Sequence, residues 1–222
     1  DRLPPGLTPS SDADLYMEAY INAGYKMSLE WVISKMWGTD PLMDYYNATV
    51  NVPDHLVVIS KDEMEKVQKV VELLLANPNT LPYFFNEDND IEIAHQLPIY
   101  FEYKGVECKA LMDGIILNHR DKTIRPFDLK TTGMSVYNFP ENFVRFGYYR
   151  QAAFYSEALK SPQSPIGHLL DEYKLLPFQF IVAETKPNSY HPAVIYNCSE
   201  TDIDVGLNGG YYEGKRVKGV NE

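Results

Sequence analysis

The stretch from Ile91 to Thr131 limits the fold more than any other part of the chain. It holds three runs of strand character, "IEIAHQLPIYFEY" (91–103), "VECKALMDGIIL" (106–117) and "TIRPFDLKT" (123–131), separated only by "KG" and "NHRDK". Links that short join antiparallel neighbours, because a parallel return needs a crossover of about a dozen residues or more. A three-stranded meander is expected, with Pro98 marking an edge or a bulge.

Helical patterns flank the meander. Residues 1–11, "DRLPPGLTPSS", read as a leader without regular structure. Asp12 to Trp37 has helical spacing, broken near Gly24, with Leu15, Ala19, Trp31, Val32 and Met36 as the apolar stripe, and "GTDP" ends it. "SKDE" at 60–63 is a capping-box pattern opening a second helix. Met64, Val67, Val70, Val71, Leu74 and Leu75 follow at helical spacing until "NPNT".

After the meander, Glu141 to Lys160 reads as one helix. Residues 174–185 read as a strand that pairs with 192–198 across "KPNSYH". Ser199 is a candidate cap for a helix that Gly209 and Gly210 would weaken. The order implies an α/β or α+β domain on one mixed sheet: a single domain over 12–222, with a helical part (12–80) and a sheet-bearing core (about 90–200). Hydrophobic residues make up 45%, enough for a core of that size.

Two of the three strands carry charge among apolar residues: Asp113 in the second, Asp128 and Lys130 in the third. Residues two apart on a strand share a face, so Asp128 and Lys130 point the same way. If the second and third strands pair, Asp113 approaches the same region. Carboxylates are hard oxygen ligands suited to Mg²⁺, which is commonly held by one or two of them together with substrate phosphate. A metal there would acidify an attacking water, while an adjacent lysine orients or deprotonates it or stabilises the transition state. The competing reading of the same residues is a half-buried Asp128–Lys130 salt bridge.

Net charge is -11, which argues against a nucleic-acid partner if the charge is evenly spread. It is not. Between Ile115 and Gln151, Arg120, Lys122, Arg125, Lys130, Arg145 and Arg150 outnumber Asp121, Asp128 and Glu141. Cys108 and Cys198 form no zinc or iron–sulfur pattern, which fits a reducing compartment, although a single disulfide is compatible with them. No apolar run approaches the ~20 residues of a membrane span, and no signal peptide is visible. His95, His119, His168 and His191 have no metal-ligand spacing, and neither a Gly-rich phosphate loop nor a serine nucleophile elbow occurs.

"MDG" (112–114), "FDLKTT" (127–132) and "YYRQAAFY" (148–155), in that order and in strand, strand and helix context, resemble the PD-(D/E)XK nuclease superfamily. The likeness is to its phage recombination exonucleases of the exodeoxyribonuclease VIII type and to RecB-type nuclease domains. It runs from about Glu92 to Val194. It implies a restriction-endonuclease-like mixed sheet flanked by helices, and a Mg²⁺-dependent DNA exonuclease with Mn²⁺ as an alternative metal.

By that resemblance Asp113, Asp128 and the Leu129 carbonyl bind metal, Lys130 is the catalytic lysine, and Gln151 with Tyr155 forms the helix beside the site. The N-terminal helical position of the family is not matched cleanly; Glu30 is the candidate metal or water ligand, while His55 lies in a loop or strand. Glu92 and Glu184 are candidate flanking acids. Arg125, Arg145 and Arg150 are candidate phosphate contacts. The resemblance further implies DNA as partner, an associated single-strand annealing protein, a homo-oligomeric ring and the cytoplasm of a bacterial or phage-infected cell. The alternative is a non-catalytic DNA-binding or assembly module that keeps the nuclease fold.

Overall fold

Strand β1 (Ile91–Tyr103), β2 (Val106–Asn118) and β3 (Thr123–Thr132) form the expected antiparallel meander. The computed structural model describes Ser28, Val57 and residues 59–186 and 191–222. The leader, the helix expected over 12–37, Glu30 and His55 fall outside them. The chain divides into two units, Asp1–Ser60 and Lys61–Glu222; the second carries everything described below.

Two further strands complete the sheet. Strand β5 (Gln179–Glu184) runs parallel to β3, and β6 (Val194–Asn197) pairs antiparallel with β5, giving the order β1-β2-β3-β5-β6. The two-residue β4 (Lys174–Leu175) pairs parallel with the start of β3. Sequence spacing implies one strand over 174–185. Pro177, which has no N–H for the ladder, falls in the break between β4 and β5. The parallel β3–β5 pair requires a crossover, and the helices after β3 supply it.

That crossover is two helices rather than the single one expected over 141–160. Helix α2 (Phe139–Arg145) ends at Phe146, and α3 (Tyr148–Lys160) starts after Gly147, which has a left-handed φ of 70°. A side chain at 147 would be strained in that conformation and would meet the Arg150 guanidinium. Helix α2 and α3 cover one face of the sheet through Phe139, Ala152, Ala158 and Leu159, packed with Ile99, Met112, Ile124 and Phe180.

Helix α1 (Lys61–Ala76) covers the other face, where Val70 and Leu74 meet Tyr83, Phe127, Ile181 and Ala183. Of the six positions expected to form its apolar stripe, only these two are buried; Met64, Val67, Val71 and Leu75 are exposed. At the C-terminus, Ser199 and Asp202 form a reciprocal capping box that starts α4 (Glu200–Asn208), and a hairpin of β7 (Gly210–Tyr212) and β8 (Lys215–Val217) follows. The architecture is a mixed α/β sheet flanked by helices, as expected from the order of elements. Both cysteines are free thiols, and burial pushes Cys198 up to about 12.

Candidate active site

The face alternation of β1 and β2 breaks at one place. On β1, Ala94 faces the α3 side and His95 the α1 side; two residues on, Leu97 faces the α3 side. The switch occurs at Gln96, which has a φ of 52° and falls, with Asp113, in the gap between the His95–Gly114 and Leu97–Met112 pairs. On β2, Met112 packs on the α3 side, yet so do Ile115 and Leu117, so the alternation shifts there as well. Beyond this kink, β1 and β2 continue as a two-stranded arm, while β3 pairs with β2 only from Gly114 to Asn118. Asp113 stands where β2 and β3 part.

That position explains two hydrogen bonds. The Leu129 N–H has no β2 carbonyl to bond and donates instead to Asp113 Oδ2, at 2.9 Å. Gln96 Nε2 donates to the other oxygen, Oδ1, at 3.3 Å. Extending the pairing of Gly114 with Phe127 by one step sets Asp113 opposite Asp128 on the α3 face. Gly114 permits this close crossing: a Cβ there would lie 2.1 Å from Phe127 Cζ.

Asp128 is 3% exposed. Its Oδ1 accepts from Gln151 Nε2 at 2.6 Å, and its Oδ2 lies 2.7 Å from Lys130 Nζ. That contact is the ion pair that neutralises the buried carboxylate, and Oδ2 makes no other contact with a protein donor. Burial raises the Asp128 carboxyl above the usual aspartate range and Asp113 adds to the rise, while Lys130 and the Gln151 hydrogen bond oppose it. A divalent cation fits the donor set: two neighbouring carboxylates and the Leu129 backbone beside them, all hard oxygen ligands. Among the described residues no cluster of three His, Cys, Asp or Glu side chains stands ready for a metal, so Asp113 and Asp128 are its only carboxylates there.

The ammonium of Lys130 is 4.7 Å from the ring centre of Tyr148 and 5.7 Å from that of Phe180. A cleft of about 660 Å³ opens beyond Phe180, lined by Phe139, Phe143, Tyr196, Cys198 and Tyr212; none of Asp113, Asp128 and Lys130 lines it. Tyr155, one turn after Gln151, packs edge-on against Phe178 at 6.2 Å.

The other candidates scatter. Arg125 lies on the α1 face, 3.5 Å from the Tyr83 hydroxyl, because odd-numbered positions of β3 point away from Asp128. Arg120 is held by Asp88 and Asp90, and Lys122 by Tyr173 and Glu172, so the basic window of the sequence is not one basic face. Arg145 and Arg150 are exposed near the α2–α3 turn. Glu92 pairs with His119, 3.4 Å away and four residues along the sheet from the site.

Glu184, a candidate flanking acid, is buried: its Oε1 accepts the Val136 N–H at 2.8 Å and contacts His191 Nδ1 at 2.8 Å, tying down the loop after β3. Sequence reasoning overlooked Tyr148 and Gln96. Tyr148 had a usable signal, since it precedes Gln151 by three residues on one helix face; the φ of Gln96 had none.

No family model and no curated protein matches this chain. Among solved structures, it is similar to the crystal structure of a candidate exonuclease from Eubacterium rectale, at 16% identity and a TM-score of 0.45. The match covers 89% of this chain and 63% of that one. It accompanies a mixed α/β sheet flanked by helices, with no helix among the described residues long and apolar enough to cross a membrane.

Proposed function

We propose that this chain is a metal-dependent nuclease that hydrolyses phosphodiester bonds in DNA. The observation that carries the reading is the convergence of Asp113, Asp128, Lys130 and Gln151 where β2 and β3 part, around a carboxylate that is 3% exposed. Asp113, Asp128 and the Leu129 carbonyl would hold Mg²⁺ or Mn²⁺. Such an ion lowers the pKa of a bound water and neutralises charge on the phosphate.

The chain's own residues then have distinct tasks. Asp113 is fixed through Oδ2 by the Leu129 N–H, which leaves Oδ1 facing the more exposed side chain of Gln96. Gln151 fixes the rotamer of Asp128. Lys130 presents a positive charge within 2.7 Å of that carboxylate, placed to attract a phosphate oxygen. The role of phage-type recombination exonuclease, working with a single-strand annealing protein and in a ring, rests on the sequence resemblance.

A second reading is a DNA-binding or assembly module without catalysis. The 2.7 Å Asp128–Lys130 ion pair, which already neutralises the buried carboxylate, favours it. Incubating end-labelled linear DNA with the chain, with and without Mg²⁺, separates the two. Mg²⁺-dependent loss of label that Asp128→Asn abolishes supports the nuclease. Binding without cleavage at any metal concentration supports the module.

A further inference from the structure

Helix α3 touches both charged ends of the "DLK" triplet. Gln151 bonds the carboxylate of Asp128. Tyr148, three residues earlier and so on the same helical face, places its ring under the ammonium of Lys130 at 4.7 Å. The ring does not stand alone. It is stacked on Phe139, with centres 5.6 Å apart and planes 14° from parallel, and Phe139 is 3% exposed. Phe180 provides a second ring 5.7 Å from the same nitrogen. The left-handed Gly147 starts α3 at Tyr148, which sets where the ring lies.

A lysine side chain has four rotatable carbons and no intrinsic preference for one direction. Its 2.7 Å contact with Asp128 engages one side of the ammonium and leaves the rest of the group to be held by other neighbours. The ring faces supply the missing restraint, because a cation is held over the negative face of an aromatic ring.

Resting on the nuclease reading, we infer that Tyr148 is a positioning residue: backed by Phe139, it aims the Lys130 ammonium, so that one helix sets both the acid and the amine of the site. The hydroxyl is not needed for this, whereas the ring is.

Two variants of the 222-residue chain test it, Tyr148→Phe and Tyr148→Leu, compared with wild type on end-labelled linear DNA with Mg²⁺ and by NMR of labelled lysine. The Lys130 ε-methylene signal is assigned by its loss in Lys130→Ala. Phe should keep kcat within about twofold. Leu should lower kcat roughly tenfold with KM within about twofold, in line with one partly desolvated cation–ring contact. The Lys130 methylene should be shifted upfield by ring current in wild type and Phe, and the shift should fall in Leu to the smaller part that Phe180 supplies.

Equal kcat for Leu and wild type overturns the inference, as does equal impairment of Phe and Leu. If wild type leaves DNA intact, the nuclease reading fails by itself. The NMR signal still decides the positioning claim, which an unshifted methylene in wild type, or an upfield shift as large in Leu as in wild type, overturns. A Leu variant that fails to fold leaves the wild-type and Phe spectra to decide.

Discussion

Replacing Gly114 by alanine should destabilise the protein by about 2 kcal/mol, through one contact. The φ of Gly114 is not in the left-handed region, so alanine can adopt this backbone, and in a strand it would normally gain ~0.5–1 kcal/mol over glycine. The added methyl, however, would sit 2.1, 2.4 and 2.8 Å from three ring atoms of Phe127. Ordinary contact begins near 3.4 Å, so the ring or the strand must move by about 1.3 Å, the difference from 2.1 Å.

Phe127 is 1% exposed and boxed by Tyr83, Phe84 and His95, with ring centres 5.2, 6.2 and 6.1 Å away. Overpacking of a filled core costs ~1–3 kcal/mol, and this site belongs at the upper end. The net loss of about 2 kcal/mol should lower Tm by roughly 4–8 °C for a unit of this size. Urea denaturation and a thermal scan measure it, alone and in a Phe127→Leu background, where the smaller side chain should reduce the alanine penalty below about 0.5 kcal/mol. A Gly114→Ala change within about 0.5 kcal/mol of wild type, or the same penalty in both backgrounds, would refute the reasoning and with it the close β2–β3 crossing that sets Asp113 opposite Asp128.

Asp128→Asn should abolish Mg²⁺-dependent hydrolysis while circular dichroism shows the fold retained; unchanged turnover removes this carboxylate from the chemistry. Burial raises the Asp128 carboxyl, so it keeps its proton to a higher pH than an ordinary aspartate at about 3.9. A metal binds the carboxylate only; Mg²⁺ affinity should therefore fall about tenfold per pH unit below that raised pKa, and calorimetry showing flat affinity down to about pH 4 would contradict it. The same sign applies to folding: the stability contributed by neutral Asp128 is present below its unfolded pKa and is lost as pH rises through the folded one. Arg145→Gln and Arg150→Gln should each weaken DNA binding and reduce its salt slope by about one, whereas Arg125→Gln, on the opposite face, should leave both unchanged.

Short links and apolar periodicity made the meander, the mixed sheet and helix α1 legible in the chain, because hairpin turns and face alternation are local properties. The shared face of Asp128 and Lys130 was legible for the same reason: a strand alternates every residue, and β3 stays regular across them. Locality also accounts for the failures. The break at Gly147 and the buried state of Glu184 depend on partners distant in sequence, namely the sheet beneath α3 and the Val136 loop. Met64, Val67, Val71 and Leu75 of α1 reach solvent, which its spacing alone does not reveal.

Sequence alone determined which side chains could bind a cation and which two of them travel together. Only tertiary structure decided that Asp113 joins them, since that required the kink at Gln96, the missing side chain at Gly114 and the register of β2 on β3. It also decided that α3 holds the pair from above through Gln151 and Tyr148, and that Arg125 does not belong. The physical reason is that a strand specifies its own two faces, while the neighbour that meets each face is specified by packing across the whole sheet.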